Sequence, residues 1–371
     1  MASLDEIRNT RIEKMKMLQA KGINPFPVKT DKEYELKYII ENFDELSKKD
    51  SVILAGRVLA VRGQGALIFF NVNDGTGSIQ GLLKKDEMDA DIFDLFVNTV
   101  DLGDFVEISG KLFVTKRGEK TLQVSAWKML TKSLLPLPDK WDGLQDEEGR
   151  LRKRYLDVIF NPEVRDMIEK RSRFWAATRE FLMNKGFMEV ETPILENTTG
   201  GAEAKPFITH HNALDMEVYL RISPELWLKR LMVAGFPKVF EIGRIFRNEG
   251  MDAEHLQDYT QMECYEAYSD YEKGMKFVEE MYKYVAEKTF NTLKFKIKGF
   301  DIDLGQKWEI YDYAETIKKM TGVDIFTADL KNIENKLREL KVEYDSKNGF
   351  NLTRAIDNLW KYCRKQIAGP G

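Results

Sequence analysis

Two short segments carry the residues best suited to chemistry. In Val239–Arg247, alternation along a strand puts Glu241, Gly243, Ile245 and Arg247 on one face; in Tyr259–Tyr268 it puts Tyr259, Gln261, Glu263 and Tyr265 on one face. Paired as a hairpin around the polar loop Asn248–Asp258, these strands would gather Arg247, Glu263 and Tyr265 on one side of a sheet. Charges on an otherwise apolar sheet are costly unless they pair or bind a charged ligand. A guanidinium suits a phosphate and a carboxylate suits an ammonium group. The same pattern also fits a structural Arg–Glu ion pair between strands, and alternation alone does not choose. His210 and His211 are not candidates for catalysis, because adjacent strand residues face opposite sides and satisfied structural histidines are the commoner case.

The elements that must hold these strands can be read on both sides. Asn161 and Pro162 form a cap and first-turn pair, after which Val164, Ile168, Trp175, Thr178 and Leu182 repeat at helical spacing until Gly186. GFMEVETPIL then reads as a short strand ended by Pro193. A strand Glu217–Ile222 runs into Ser223-Pro224-Glu225, which starts a helix that stops at Gly235. Beyond Asp270 the pattern predicts an amphipathic helix, a hairpin around Lys294–Tyr311, and helices Ala314–Met320, Leu330–Leu340 and Leu352–Ala368.

The N-terminal part has a different texture. An amphipathic helix from Leu4 to Lys21 carries Ile7, Arg11, Met15 and Leu18 on one stripe; its basic residues fit either an RNA contact or a solvated helix packed on the next domain. Short β-rich runs follow at Val52–Val61, Ala66–Asn73 and Ser78–Leu83, then a helix Glu87–Thr99, then runs Asp104–Thr115 and Thr121–Leu130. Three strands, a helix and two strands is the order of an OB-fold, a small barrel used to bind oligonucleotides. Ile68, Phe70, Val72 and Ile79 would fill it, turning Phe69 and Gln80 outward as a platform for stacking and reading unpaired bases; cover by a neighbouring loop is the competing reading for Phe69. Domain boundaries follow: a helical extension at 1–50, the barrel at 51–133, a Pro/Gly/acid-rich linker at 134–150, and a second domain at 151–371.

Composition narrows the classes without naming one. The 371 residues are 43% hydrophobic, enough for packed cores, and 57 Lys and Arg against 61 Asp and Glu leave a net charge of -4, so any nucleic-acid surface is a local patch. Cys264 and Cys363 form neither a disulfide framework nor a CxxC site, which fits a reducing compartment. Met1–Lys21 is neither a signal peptide nor a membrane span, so the expectation is a cytoplasmic protein with no membrane partner.

At the hairpin the text resembles a known family. FRNEG at Phe246–Gly250, with His255, Tyr259 and QMECYEAYSDY, looks like motif 2 of the class II aminoacyl-tRNA synthetases in its lysyl form, and GFMEVETPIL resembles motif 1. LRKRYLD at Leu151–Asp157 and Gly200–Leu231 are close to the lysyl text, in collinear order from the first helix to Tyr271. The resemblance implies an α+β protein: an N-terminal OB-fold anticodon-binding barrel and a class II antiparallel sheet flanked by helices. It implies a lysine–tRNA ligase, which forms lysyl-adenylate from L-lysine and ATP and passes lysine to tRNA(Lys), and a homodimer through motif 1. Arg247 would be the catalytic residue, on the α-phosphate. ATP would also meet Glu249, His255 and Tyr259, the last where the family more often has Phe. Lysine would meet Gly201, Glu225, Glu263 and Tyr265, and the anticodon Arg62, Phe69 and Gln80.

There are departures. The loop after His255 reads LQDY where an Asn-Pro-Glu-Phe run is usual, and Ala126 stands where a base-reading glutamate is common. No GLGxGxDR run of motif 3 occurs before Gly371, so the expectation is a C-terminally incomplete domain, a truncated chain of little or no activity, whose Mg2+ ligands fall in the missing segment with no metal held here. Two other readings follow: a binding protein without catalysis, and an aspartyl or asparaginyl relative. Glu225 and Glu263 argue against the latter, since two acids would repel an aspartate side chain.

Overall fold

The computed structural model describes residues 3–138, 146–250, 255–344 and 350–368. The centre of the linker expected at 134–150, the middle of the loop Asn248–Asp258 and the final Gly-Pro-Gly lie outside the described residues. The chain divides into two compact units, Met1–Pro162 and Glu163–Gly371.

The first unit begins with α1 (Leu4–Ala20), opened by a capping box in which Ser3 and Glu6 satisfy each other's backbone N–H groups. Arg11 is buried and donates to the carbonyls of Ser133, Leu135 and Leu102, while Lys14 pairs with Asp101 at 2.6 Å. These two basic residues of the helix therefore fix it to the chain around the barrel. Next come α2 (Leu36–Glu41), α3 (Phe43–Leu46), β1 (Val52–Gln64), β2 (Leu67–Asn73), β3 (Ser78–Lys84), α4 (Ala90–Thr99), β4 (Phe105–Val114) and β5 (Lys120–Thr131). The helix α4 starts later than periodicity predicts because the Asp89 carboxylate accepts from the N–H groups of Asp91 and Ile92, which sets the cap there. The five strands close into a barrel in the order β1-β2-β3-β5-β4, antiparallel except between β3 and β5.

Apolar residues on alternate strand positions fill this barrel: Leu54, Ile68, Phe70, Val72, Ile79, Ile108 and Leu122 are buried, each contributing about 1.5–3 kcal/mol by leaving water. Phe96 of α4 is buried in the same core, 4.9 Å from the Phe70 ring and 5.2 Å from Trp127. A β-carbon at Gly81 would lie 2.5 Å from the Phe70 ring, so only glycine lets that ring occupy the interior. Helices α5 (Glu147–Arg152) and α6 (Arg154–Phe160) end the unit, joined by Arg150 and Arg154 on the buried carboxylate of Asp157.

The second unit holds α7 (Pro162–Asn184), β6 (Met188–Glu189), β7 (Leu195–Glu196), β8 (Ile208–His211), β9 (Met216–Leu220), α8 (Glu225–Val233), β10 (Lys238–Phe246), β11 (Asp258–Glu266) and α9 (Tyr271–Phe290). β10 and β11 form the expected antiparallel hairpin, but β6 joins β10 in parallel, giving the order β11-β10-β6. That edge departs from a purely antiparallel sheet because the intervening segment carries the chain back to run in the same direction. A second sheet has the order β7-β9-β8. One face of the hairpin is apolar: Phe240 is buried, with Ile242, Met262 and Cys264, against Phe181 and Leu182 of α7 and Phe277 and Met281 of α9. The opposite face is left to the polar set. The hairpin β12 (Lys294–Ile297) and β13 (Phe300–Asp303) follows, then α10 (Tyr313–Thr321), α11 (Leu330–Glu339) and α12 (Leu352–Ala368), whose Ile317, Ile333, Leu337, Ala355, Leu359 and Cys363 make a separate small core.

Candidate active site and nucleic-acid interface

On the barrel, strand register brings the sequence-predicted platform together. Arg62 lies opposite Phe69 and Gln80 opposite Asn71, and Phe69 and Asn71 share a face, so Arg62, Phe69 and Gln80 stand on one outer surface. Phe69 and Gln80 are half-buried and Arg62 is exposed, while their neighbours Ile68, Phe70 and Ile79 are buried. Gln80 accepts from the Thr121 hydroxyl at 3.0 Å, which orients its amide on the surface. Ala126 is exposed, opposite Ser109, and offers no side-chain acceptor there. A guanidinium, a ring and an amide on one strand-locked face can hold unpaired bases by stacking and edge contacts.

In the second unit, Glu241 lies opposite Glu263, Gly243 opposite Gln261 and Ile245 opposite Tyr259, so the polar set shares one sheet face. Among the described residues no Arg–Glu ion pair bridges the two hairpin strands; the pair on this face is made by Arg221, from outside the hairpin, with Glu241. Arg221, 1% exposed, donates to Glu241 at 2.5 Å and to the Arg244 carbonyl at 3.0 Å, and Thr192 donates to the second Glu241 oxygen at 2.6 Å. A β-carbon at Gly243 would stand 2.1 Å from the Arg221 guanidinium, so glycine is required beneath it. Arg221 was not among the sequence-predicted site residues; its signal is a charge between Leu220 and Ile222 within a mainly apolar run, and its partner lies 20 residues on.

With Glu241 satisfied, Glu263 is free of that duty. Its Oε1 accepts from Ser223 Oγ at 2.8 Å and Gln261 Nε2 at 2.6 Å, and its Oε2 accepts from the Tyr265 hydroxyl at 3.2 Å. All three donors are neutral, and no ion pair reaches Glu263 among the described residues. Burial first, then the charges of Glu263 and Glu225, push the Tyr265 hydroxyl above the ordinary tyrosine range, which keeps it a donor at neutral pH. Burial, then Glu266 and Glu263, push the neighbouring Cys264 thiol up to about 11, so it is no nucleophile.

Glu225 opens α8, its N–H donating to Ser223 Oγ at 3.1 Å and its carboxylate held by Lys229 at 2.6 Å. Gly201 has a left-handed backbone (φ +86), and a β-carbon there would come 2.8 Å from that of Glu225 and 2.9 Å from Ser223 Oγ. The Ser223 hydroxyl bonds both Glu263 and the Glu225 N–H, Gly201 lies close to it, and Tyr265 joins through Glu263. Two carboxylates meet here, Glu225 paired with Lys229 and Glu263 in no ion pair among the described residues.

Arg247, Glu249, His255 and Tyr259 line a cavity of about 370 Å³ together with Gly250 and Leu256. The Arg247 guanidinium lies 5.5 Å from the Tyr259 ring centre, and its buried Nε has no hydrogen-bond partner. A buried, unpaired charged donor is costly unless a ligand completes it, and an anion meets that need. Among the described residues no group of three or more His, Cys, Asp or Glu is placed to hold a metal ion. His210 pairs with Asp215 on the surface at 3.3 Å, and His211 Nδ1 accepts from the Leu214 N–H, so both hold a turn.

Residues 146–352 match tRNA synthetases class II (D, K and N), and residues 52–130 match the OB-fold nucleic acid binding domain. A lysine–tRNA ligase of Thermotoga maritima is 40% identical over 99% of this chain and 74% of that relative. The chain belongs to the class II tRNA synthetases, within the lysine–tRNA ligase family. Lysine–tRNA ligases of Pelotomaculum thermopropionicum and Carboxydothermus hydrogenoformans are 45% and 46% identical over 86% of this synthetase chain, which spans 63% and 65% of their respective lengths. No helix of this synthetase chain, among the described residues, is long and apolar enough to cross a membrane.

Proposed function

We propose that this chain binds L-lysine and ATP on the polar face of the β10–β11 hairpin and a tRNA(Lys) anticodon on the barrel, for the lysine–tRNA ligase reaction. The observation that carries the reading is Glu263, a carboxylate fixed by three neutral donors and left with an uncompensated charge beside Tyr265. Such a site favours an ammonium group, because the donors hold the carboxylate still while adding no positive charge to compete. Glu225 and the close backbone of Gly201 would receive the rest of the amino acid. Arg247, with its Nε open, would hold the α-phosphate and stabilise charge as the lysine carboxylate attacks phosphorus and pyrophosphate leaves. Tyr259 would stack on adenine, Glu249 would read its amino group, and His255 would approach the phosphates.

Positioning and charge stabilisation supply the rate in this scheme, so no covalent nucleophile is needed. Arg62, Phe69 and Gln80 would take unpaired anticodon bases, with Ala126 leaving one reading position without a carboxylate. The apolar surface of α7, where Met167, Ile168, Phe174 and Met183 are exposed, supports a homodimer through motif 1. The reaction belongs to cytoplasmic translation. Calorimetric titration of the chain with lysine tests the reading: Glu263→Gln is expected to weaken lysine binding by about 1.5–3 kcal/mol, or one to two decades. Equal affinity in the two proteins, or no lysine binding by the unsubstituted chain, overturns it.

A further inference from the structure

The side chains on the ligand face of β11 touch one another in series. The Tyr259 hydroxyl donates to Gln261 Oε1 at 3.0 Å, and Gln261 Nε2 donates to Glu263 Oε1 at 2.6 Å. Alternate residues of a strand stand about 6.6 Å apart, so polar side chains of this length meet without distortion. The orientation of the Gln261 amide is dictated rather than chosen. An ionised carboxylate only accepts, so the amide nitrogen must face Glu263, and the amide oxygen is left for the phenol, which must then donate. Every proton in the series points toward Glu263. Across the hairpin, Gln261 faces Gly243, which presents no side chain of its own to compete for the amide.

We propose that Tyr259 and Gln261 form a relay that positions the Glu263 carboxylate for its ammonium ligand and couples it to the nucleotide end of the same face. The proposal rests on the lysine and ATP reading above. Tyr259 lines the cavity with Arg247, and its hydroxyl is the group by which it reaches Gln261. With a phenylalanine, Gln261 Oε1 loses its donor and the amide is free to turn, so one of the three bonds that fix Glu263 slackens. A base stacked on Tyr259 immobilises the ring and with it the relay. Nucleotide and lysine therefore tighten each other's binding, by the same factor in both directions. Gln261 is a positioning residue, acting through Glu263.

The test uses the full chain and calorimetric titration with lysine and with norleucine, which keeps the amino-acid end but lacks the side-chain ammonium. Each titration is run with and without a non-hydrolysable ATP analogue. Tyr259→Phe and Gln261→Met are each expected to lower lysine affinity by about 2–10-fold, the range of one net hydrogen bond, with norleucine affinity unmoved. The double variant is expected to be no weaker than Gln261→Met alone, because the two act in series, and tightening by the nucleotide is expected to vanish in all three. Additive losses, parallel loss of norleucine and lysine affinity, or an unchanged lysine-to-norleucine ratio each overturn the relay. If the unsubstituted chain prefers lysine and Glu263→Gln abolishes that preference while the relay variants keep it, the relay alone fails. If the unsubstituted chain binds neither lysine nor nucleotide, the functional reading fails and the relay falls with it.

Discussion

The outer face of the barrel and the polar face of the β10–β11 hairpin solve opposite problems. On the barrel, Phe69 and Gln80 alternate with buried Ile68, Phe70 and Ile79, so the core is complete without them and the platform is a surface added to a finished fold. On the hairpin, charge is part of the structure. Glu241 and Arg221 are buried together on the face that also carries Glu263 and Arg247. A surface that stacks bases can be carried by strand alternation alone, whereas a pocket for an ammonium and a phosphate needs buried groups that hold the ligand-binding charges in place.

The contrast is broken most severely at Arg221. Arg221→Met leaves Glu241 buried without its cation and is expected to cost about 3–5 kcal/mol of stability in the second unit, read by denaturant unfolding. A cost below 1 kcal/mol would mean that Glu241 is solvated and that the hairpin face does not rest on the pair.

A buried charge serves the barrel too, but at its rim. Burial raises the Asp74 carboxyl, yet Lys32, Thr76 and the N–H groups of Leu36 and Thr76 outweigh it and hold the group well below the usual carboxylate range. A depressed folded pKa gives stabilisation that is full above the unfolded value near 3.9 and is lost as pH falls below it. Asp74→Asn is expected to cost about 1.5–3 kcal/mol at neutral pH and to flatten the loss of stability between about pH 4 and pH 2. Unfolding curves of the two proteins that stay parallel through that range would remove Asp74 from the account.

Phe69→Ala sharpens the comparison from the side of function. It is expected to weaken tRNA binding by about 1–3 kcal/mol in a filter-binding assay while leaving barrel stability nearly unchanged. A large loss of stability with no specific loss of binding would show Phe69 to be core after all.

The smallest effect is expected at Lys229, whose bond to Glu225 spans one helical turn at the surface. Lys229→Met is expected to change stability by about 0.3–0.5 kcal/mol, checked by thermal unfolding at low and high salt. A larger, salt-insensitive loss would make that pair as structural as Arg221 and Glu241.

Much of this arrangement was legible in the sequence. Alternation over Leu67–Asn73 and Ser78–Lys84 assigned the inward and outward residues of the barrel, because a strand has only two faces and one had to be apolar. The same rule put Arg247, Glu263 and Tyr265 on a shared side, whereas Glu225 and Gly201 were associated with them only by the family resemblance. The start of α4 was misplaced because capping by Asp89, a side-chain hydrogen bond, outweighed periodicity. A parallel β6 was not foreseen, since the direction of a two-residue strand leaves no trace in its composition.

The strand faces and the family were readable from the order of residues along the chain. Packing separated the charges that serve the fold from those proposed to meet ligands. Glu241 and Glu263 are indistinguishable in pattern, each a carboxylate on the same face of the same hairpin, directly opposite one another. Arg221, brought in from the end of another sheet, neutralises the first, while Ser223, Gln261 and Tyr265 surround the second with neutral donors. Alternation fixes a side chain's direction and its same-strand neighbours, here Gln261 and Tyr265 beside Glu263, whereas the cation that neutralises Glu241 arrives only through packing of a residue from another sheet.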